Sequence, residues 1–160
     1  MFRRWLLLFL ILSLLLLDVG LKNYIVHHIS ALQSVSVFQD FCGISFSLEY
    51  VKNTGAAWGF FSSMQSCLLW GRCAIIVALF TYVFLARLSF WRKAALSFII
   101  TGAIGNVFDY FIYGHVVDMF HFCFGRYSFA VFNIADAMIF CGVVALFFEQ
   151  TQENREKKPS

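Results

Sequence analysis

The sequence predicts an all-α membrane protein: four transmembrane helices with a small extracytoplasmic β-sheet in the first outer loop. Three observations lead there. Hydrophobic residues make up 61% of the 160-residue chain and charged residues only 13%, about half the charge of an average soluble domain. A soluble fold of this length leaves roughly 30% of its extended surface in water, too much for so few polar side chains. Four separate apolar stretches are each about the 20 residues a helix needs to cross a bilayer. The loop between the first two alternates apolar and polar residues in the period of a strand. With 21 Phe and a single Pro, collagen-like and disordered classes are excluded.

The first stretch runs from Trp5 to about Val26. Arg3 and Arg4 before an apolar run resemble the start of a signal peptide, but no small-x-small cleavage site follows. Asp18 and Lys22 instead stand four residues apart, on one face of a continuing helix. They read as a structural ion pair near the outer interface, with Lys22 snorkelling toward water. The outer loop, residues 27–66, carries Val35 and Val37, then Ile44, Phe46, Leu48 and Tyr50 alternating with Ser45, Ser47 and Glu49. Short strands lying on the membrane surface are expected. The run Asn53-Thr54-Gly55-Ala56-Ala57-Trp58-Gly59 follows, a turn whose small residues let a backbone approach closely. The second span is about residues 67–86, the third 94–113 and the fourth 129–148. The chain reads as a single integral membrane domain, with residues 149–160 as a solvated tail.

Eight Lys and Arg (Arg3, Arg4, Arg87, Arg92, Lys93, Arg155, Lys157, Lys158) fall on one side of this layout, against Lys22, Lys52, Arg72 and Arg126 on the other. The bias puts both termini in the cytoplasm. Net charge is only +3 and the bases are scattered, so no nucleic-acid partner is expected. Five cysteines without a C-x-x-C pair indicate neither a zinc knuckle nor a disulfide framework. Cys42 and Cys123 are the two that could meet in a bridge outside. His27, His28, His115 and His121 read as interfacial polar residues. No metal, phosphate or serine-hydrolase motif occurs, so no metal or cofactor is expected.

The nine carboxylates carry the functional argument, because an acid inside an apolar run needs a reason. Gly102, Gly105, Asn106 and Asp109 recur at intervals of three and four and share one helix face, as do Asn133 and Asp136. Asp118 lies just beyond the third span. Asp109, Asp118 and Asp136 therefore gather at the outer leaflet. Two carboxylates converging in a low-dielectric pocket share one proton, so that one can take a proton from water while the other donates to a carbonyl oxygen. Spacing alone does not say which two form the pair. The runner-up is a small proton-coupled carrier or accessory subunit, which predicts acids through the full membrane depth. The inner half of the spans has none.

Five motifs in order, Asp18-x-x-x-Lys22, Lys52-Asn53-Thr54-Gly55-Ala56-Ala57-Trp58, Gly105-Asn106-Val107-Phe108-Asp109, Val116-Val117-Asp118-Met119 and Phe132-Asn133-Ile134-Ala135-Asp136, resemble bacterial lipoprotein signal peptidases. The resemblance covers nearly the whole chain. It implies an intramembrane aspartic endopeptidase of the bacterial inner membrane that cuts before a diacylglyceryl-modified cysteine of a prolipoprotein. It matches the catalytic dyad to Asp118 and Asp136. Asn53, Gly55, Asn106, Asp109 and Asn133 match residues that bind substrate or support the dyad. A monomer acting among membrane phospholipids, its active site toward the outer leaflet, is expected. Gly105 and Gly55 would let the substrate backbone pass, and Trp58 would cap the pocket. Two positions depart from the family: Tyr110 stands where Arg is usual after the aspartate, and His121 replaces a common acid. Arg126, or neutral hydrogen bonds, would then serve Asp109.

Overall fold

The computed structural model describes residues 2–31, 33–54 and 65–156, the side chains of Gln65 and of residues 153–156 excepted. Gly55 and Trp58 thus lie outside the described residues. Four helices, α1 (Phe2–His28), α2 (Gln65–Leu85), α3 (Phe90–Tyr113) and α4 (Ile134–Glu156), accompany four strands, β1 (Ser34–Phe41), β2 (Ile44–Asn53), β3 (Val116–Phe124) and β4 (Tyr127–Ser128). All four helices are long and apolar enough to span a bilayer. Their outer surfaces suit lipid: Phe9, Leu16, Val77, Phe84, Phe111 and Phe147 are all more than half exposed.

α3 is the central helix, packing along α4 and more lightly on α1 and α2. The glycines make this close approach possible. A Cβ at Gly102 would collide with the Ala135 carbonyl oxygen, and one at Gly142 would sit 2.6 Å from that of Ala95. Only hydrogen at these positions lets the two backbones touch. Ser89 caps the start of α3 by accepting the Arg92 N–H at 3.0 Å. Gly114, at φ +75°, ends it in the left-handed conformation, its N–H bonded to the Tyr110 carbonyl.

The sheet is antiparallel in the order β1-β2-β3-β4. It takes half its strands from the segment after α3, outside the first outer loop to which the sequence assigns the sheet. The signal was present, since Phe120, Phe122 and Phe124 alternate with His121 and Cys123. Directly paired residues share a face, so Phe46 opposite Phe122 and Leu48 opposite Phe120 make one face apolar. Ser47 opposite His121 and Ser45 opposite Cys123 make the other polar. Glu49 and His121 pair at 2.7 Å on that face. Cys42 and Cys123 are both free thiols.

The fourth helix starts five residues later than its apolar run suggests. Phe132 pairs back to Phe120 as an isolated bridge, which holds residues 129–132 extended. Asn133 then caps α4. Its Oδ1 accepts the Asp136 N–H at 2.8 Å, and Asp136 Oδ2 accepts the Asn133 N–H at 3.3 Å. This is a reciprocal capping box with Asp in the place usually held by Glu or Gln. Asp136 therefore sits in the first turn of its helix, not two turns inside it.

Candidate active site

Three segments deliver polar groups to one place: the end of β2 (Asn53), the start of β3 (Asp118) and the α4 cap (Asn133, Asp136). α3 adds Asn106 and Asp109 from beneath, and α1 adds Asp18 and Lys22. Asn133 is completely buried and ties the arrangement together. Its Nδ2 donates to Asp118 Oδ1 at 2.7 Å and to the Val117 carbonyl and Asn106 Oδ1, each at 3.2 Å. Asn53 Nδ2 donates to the other Asp118 oxygen at 2.9 Å. Asn106 Nδ2 donates to Asp136 Oδ1 at 2.8 Å. Asn133 thus bonds directly to both acids, through its side chain to Asp118 and through its backbone and side chain to Asp136.

Asp118 and Asp136 both line a cavity of about 680 Å³. Asp118 is only 2% exposed, whereas Asp136 is half-buried. Burial, and then the negative charge of Asp136, push the Asp118 carboxyl up to about 7, against the opposing hydrogen bonds from Asn53 and Asn133. A carboxyl held there is a mixture of acid and carboxylate near neutral pH. The rest of the cavity wall is mainly apolar, supplied by residues 129–132 and by Ala137, Ile139, Phe140 and Val143 of α4.

Lys22 overturns the snorkelling expectation. It is completely buried, 2.6 Å from Asp18 Oδ2 and 2.7 Å from Asp109 Oδ2, and it donates to Asn106 Oδ1 at 3.3 Å. A lysine ringed by two carboxylates and an amide gains nothing by reaching for water, since leaving would strand two buried negative charges. Asp109 also accepts the Val117 N–H at 3.2 Å, fixing the strand one residue before Asp118. The cation facing Asp109 is therefore Lys22. Arg126 lies exposed between β3 and β4, and Tyr110 packs edge-on against Phe111.

Gly105 also departs from expectation. A Cβ there would come within 3.3 Å of both Ala135 Cβ and Asp18 Oδ2. The glycine serves the packing of α1, α3 and α4 and offers no passage to a substrate. Sequence reasoning counted Arg72 only toward topology, yet Arg72, from α2, lines the same cavity as the two acids. The available signal was an arginine seven residues into an apolar helix.

Comparison with known proteins agrees with this architecture. Residues 10–152 match the family described as signal peptidase (SPase) II. A lipoprotein signal peptidase of Klebsiella aerogenes is 34% identical over 164 aligned positions, covering 98% of this chain and 94% of the relative. One from Escherichia coli is 33% identical, covering 97% and 93%. A bacterial membrane enzyme whose structure was obtained by the in meso method at 2.3 Å resolution superposes with a TM-score of 0.84 at 25% identity, covering 96% of this chain and 92% of that one. Likeness in sequence along nearly the full length, joined to likeness in fold, means that this chain belongs to the signal peptidase II family of membrane peptidases.

Proposed function

We propose that the protein removes signal peptides from diacylglyceryl-modified prolipoproteins, with Asp118 and Asp136 as the catalytic dyad. The observation that carries this reading is the placement of two carboxylates, bridged by buried Asn133, in the wall of a mainly apolar cavity. The apolar wall suits the signal helix and the acyl chains. The acids suit the one polar event, hydrolysis of a peptide bond. A water held between the carboxylates gives a proton to the ionised one as it attacks the scissile carbonyl. The protonated partner donates to the carbonyl oxygen, and the leaving amine takes a proton as the bond breaks.

The amides Asn53, Asn106 and Asn133 keep each carboxylate oxygen directed, so little rearrangement accompanies the proton transfers. Asp109 and the Asp18–Lys22 pair hold the start of β3 and the floor of the site. The cut falls immediately before the lipidated cysteine, whose acyl chains remain among the bilayer phospholipids. The protein acts as a monomer in the bacterial inner membrane, with both termini cytoplasmic and the dyad toward the outer leaflet. The test is cleavage of a diacylglyceryl-modified precursor by purified protein in detergent, read by gel mobility. D118N and D136N should each stop the reaction while eluting as folded, monodisperse protein. Normal processing by either variant overturns the assignment.

A further inference from the structure

A charged residue within a membrane span is costly and marks a functional position. Arg72 lies seven residues into α2, about 10 Å from its first residue along the helix axis. The residues around it, Leu68, Leu69, Trp70 and Ile75, are apolar. Its half-buried side chain forms part of the cavity wall. Among the described residues of that wall it is the one cation, and it shares the cavity with Asp118, Asp136, Asn53 and Asn106. The α4 side chains Ile139, Phe140 and Val143 and the aromatics Phe129 and Phe132 form the apolar remainder.

We propose that Arg72 binds the ester carbonyl oxygens of the substrate's diacylglyceryl group. This rests on the function proposed above. The lipid enters the cavity as two hydrocarbon chains joined to a polar ester region, and that region must be desolvated as the chains settle on the apolar wall. An ester offers carbonyl acceptors and no donors, so its complement is a side chain that only donates. Arg, with five N–H groups in a fixed fork and a weakly hydrated charge, is the residue type best suited to that work at low dielectric. Asn53, Asn106 and Asn133 have their side-chain amides engaged with the two acids. In this arrangement the dyad takes the reacting peptide and the guanidinium, with its several N–H donors, takes the ester region. Arg72 is in this account a specificity residue, remote from the bond that breaks.

The experiment uses full-length protein in mixed micelles and two synthetic lipopeptides identical except at the glyceryl group, one carrying ester-linked chains and the other ether-linked chains of equal length. An ether keeps the hydrocarbon but lacks the carbonyl. Wild type should cleave the ester substrate with a KM at least tenfold lower than the ether substrate, about 1.4 kcal/mol of discrimination, at similar kcat. R72Q should lose that preference by raising KM for the ester alone, and R72K should restore part of it. The ether substrate controls for folding, because a folded R72Q cleaves it as wild type does. Wild type that cleaves both equally, or R72Q that keeps the ester preference or loses both substrates together, overturns the role of Arg72. Failure of wild type to cleave either substrate instead overturns the proposed function.

Discussion

Asp118→Asn should make the protein more stable, and by an amount that depends on pH. Burial and the neighbouring Asp136 charge hold the Asp118 carboxyl near 7, against an ordinary value of 3.8. Between those values the folded protein binds more protons than the unfolded chain, so the unfolding free energy falls as pH rises. At about 1.4 kcal/mol per pH unit, ionising Asp118 costs the folded state ~4 kcal/mol by pH 8. Asparagine never ionises and escapes that cost. Its Nδ2 would, however, face one of the two amide donors that now serve Asp118, Asn53 or Asn133, a buried mismatch of about 1–3 kcal/mol. The variant should therefore gain roughly 1–3 kcal/mol at pH 8 and come out near break-even at pH 5, where ionisation of the unfolded chain costs the wild-type fold only about 1.6 kcal/mol. At about 2–4 °C per kcal/mol for a chain of this size, the Tm advantage of the variant should shrink by several degrees from pH 8 to pH 5. Thermal unfolding in detergent followed by far-UV circular dichroism at both pH values measures it. A Tm difference with the same sign and size at pH 5 and pH 8 would refute the electrostatic account of Asp118.

Two further expectations concern the frame around the acids. Lys22→Met should be the most damaging single change in α1, since it leaves Asp18 and Asp109 buried without their shared cation; a loss of about 3–5 kcal/mol is expected, read as a lower Tm or failure to elute as monodisperse protein. Gly102→Ala should cost about 1–3 kcal/mol by overpacking, because the new methyl meets the Ala135 carbonyl oxygen and pushes α4, and Asp136 with it, away from α3. Parallel losses of Tm and cleavage rate are expected for that variant, and an unchanged Tm would show that the two helices can separate freely.

Much of the fold was legible because a bilayer imposes one simple demand, runs of apolar residues long enough to cross it. Four runs in the sequence became four helices, and the shared face of Gly102, Gly105, Asn106 and Asp109 is the buried face of α3. What misled was reading hydrophobicity without its punctuation. The run beginning at Phe129 is continuous in composition, but Asn133 and Asp136 are spaced as a capping box, and the residues before them bond back to β3. Hydrophobic runs mark burial in lipid; capping residues mark where a helix starts. Lys22 was misread for a different reason. A lysine near a helix end snorkels when its alternative is lipid, and nothing local reveals that Asp109, 87 positions away, will meet it. The gathering of acids was predictable from depth, whereas the bonding pattern among them depends on which amide each carboxylate finds.

The start of α4 accounts for much of the site's electrostatics. The first amides of a helix lack intrahelical partners, and its N-terminus carries a partial positive charge. Here that end is buried among side chains, so its donors must be answered by oxygen atoms. Asp18, from α1, accepts the Ala135 N–H at 3.1 Å, Asp136 accepts the Asn133 N–H, and the Asn133 side chain accepts that of Asp136. Three contacts thus draw two acids and an amide to the same helix terminus. Lys22 balances one negative charge of the Asp18–Asp109 pair, and the helix terminus offsets part of what is left. Asp118 projects from the strand instead of the helix and, among the described residues, has Asn53 and Asn133 as neutral donors. Burial and the charge of Asp136 raise Asp118 to about 7, so this strand-borne carboxyl can hold or release a proton near neutral pH.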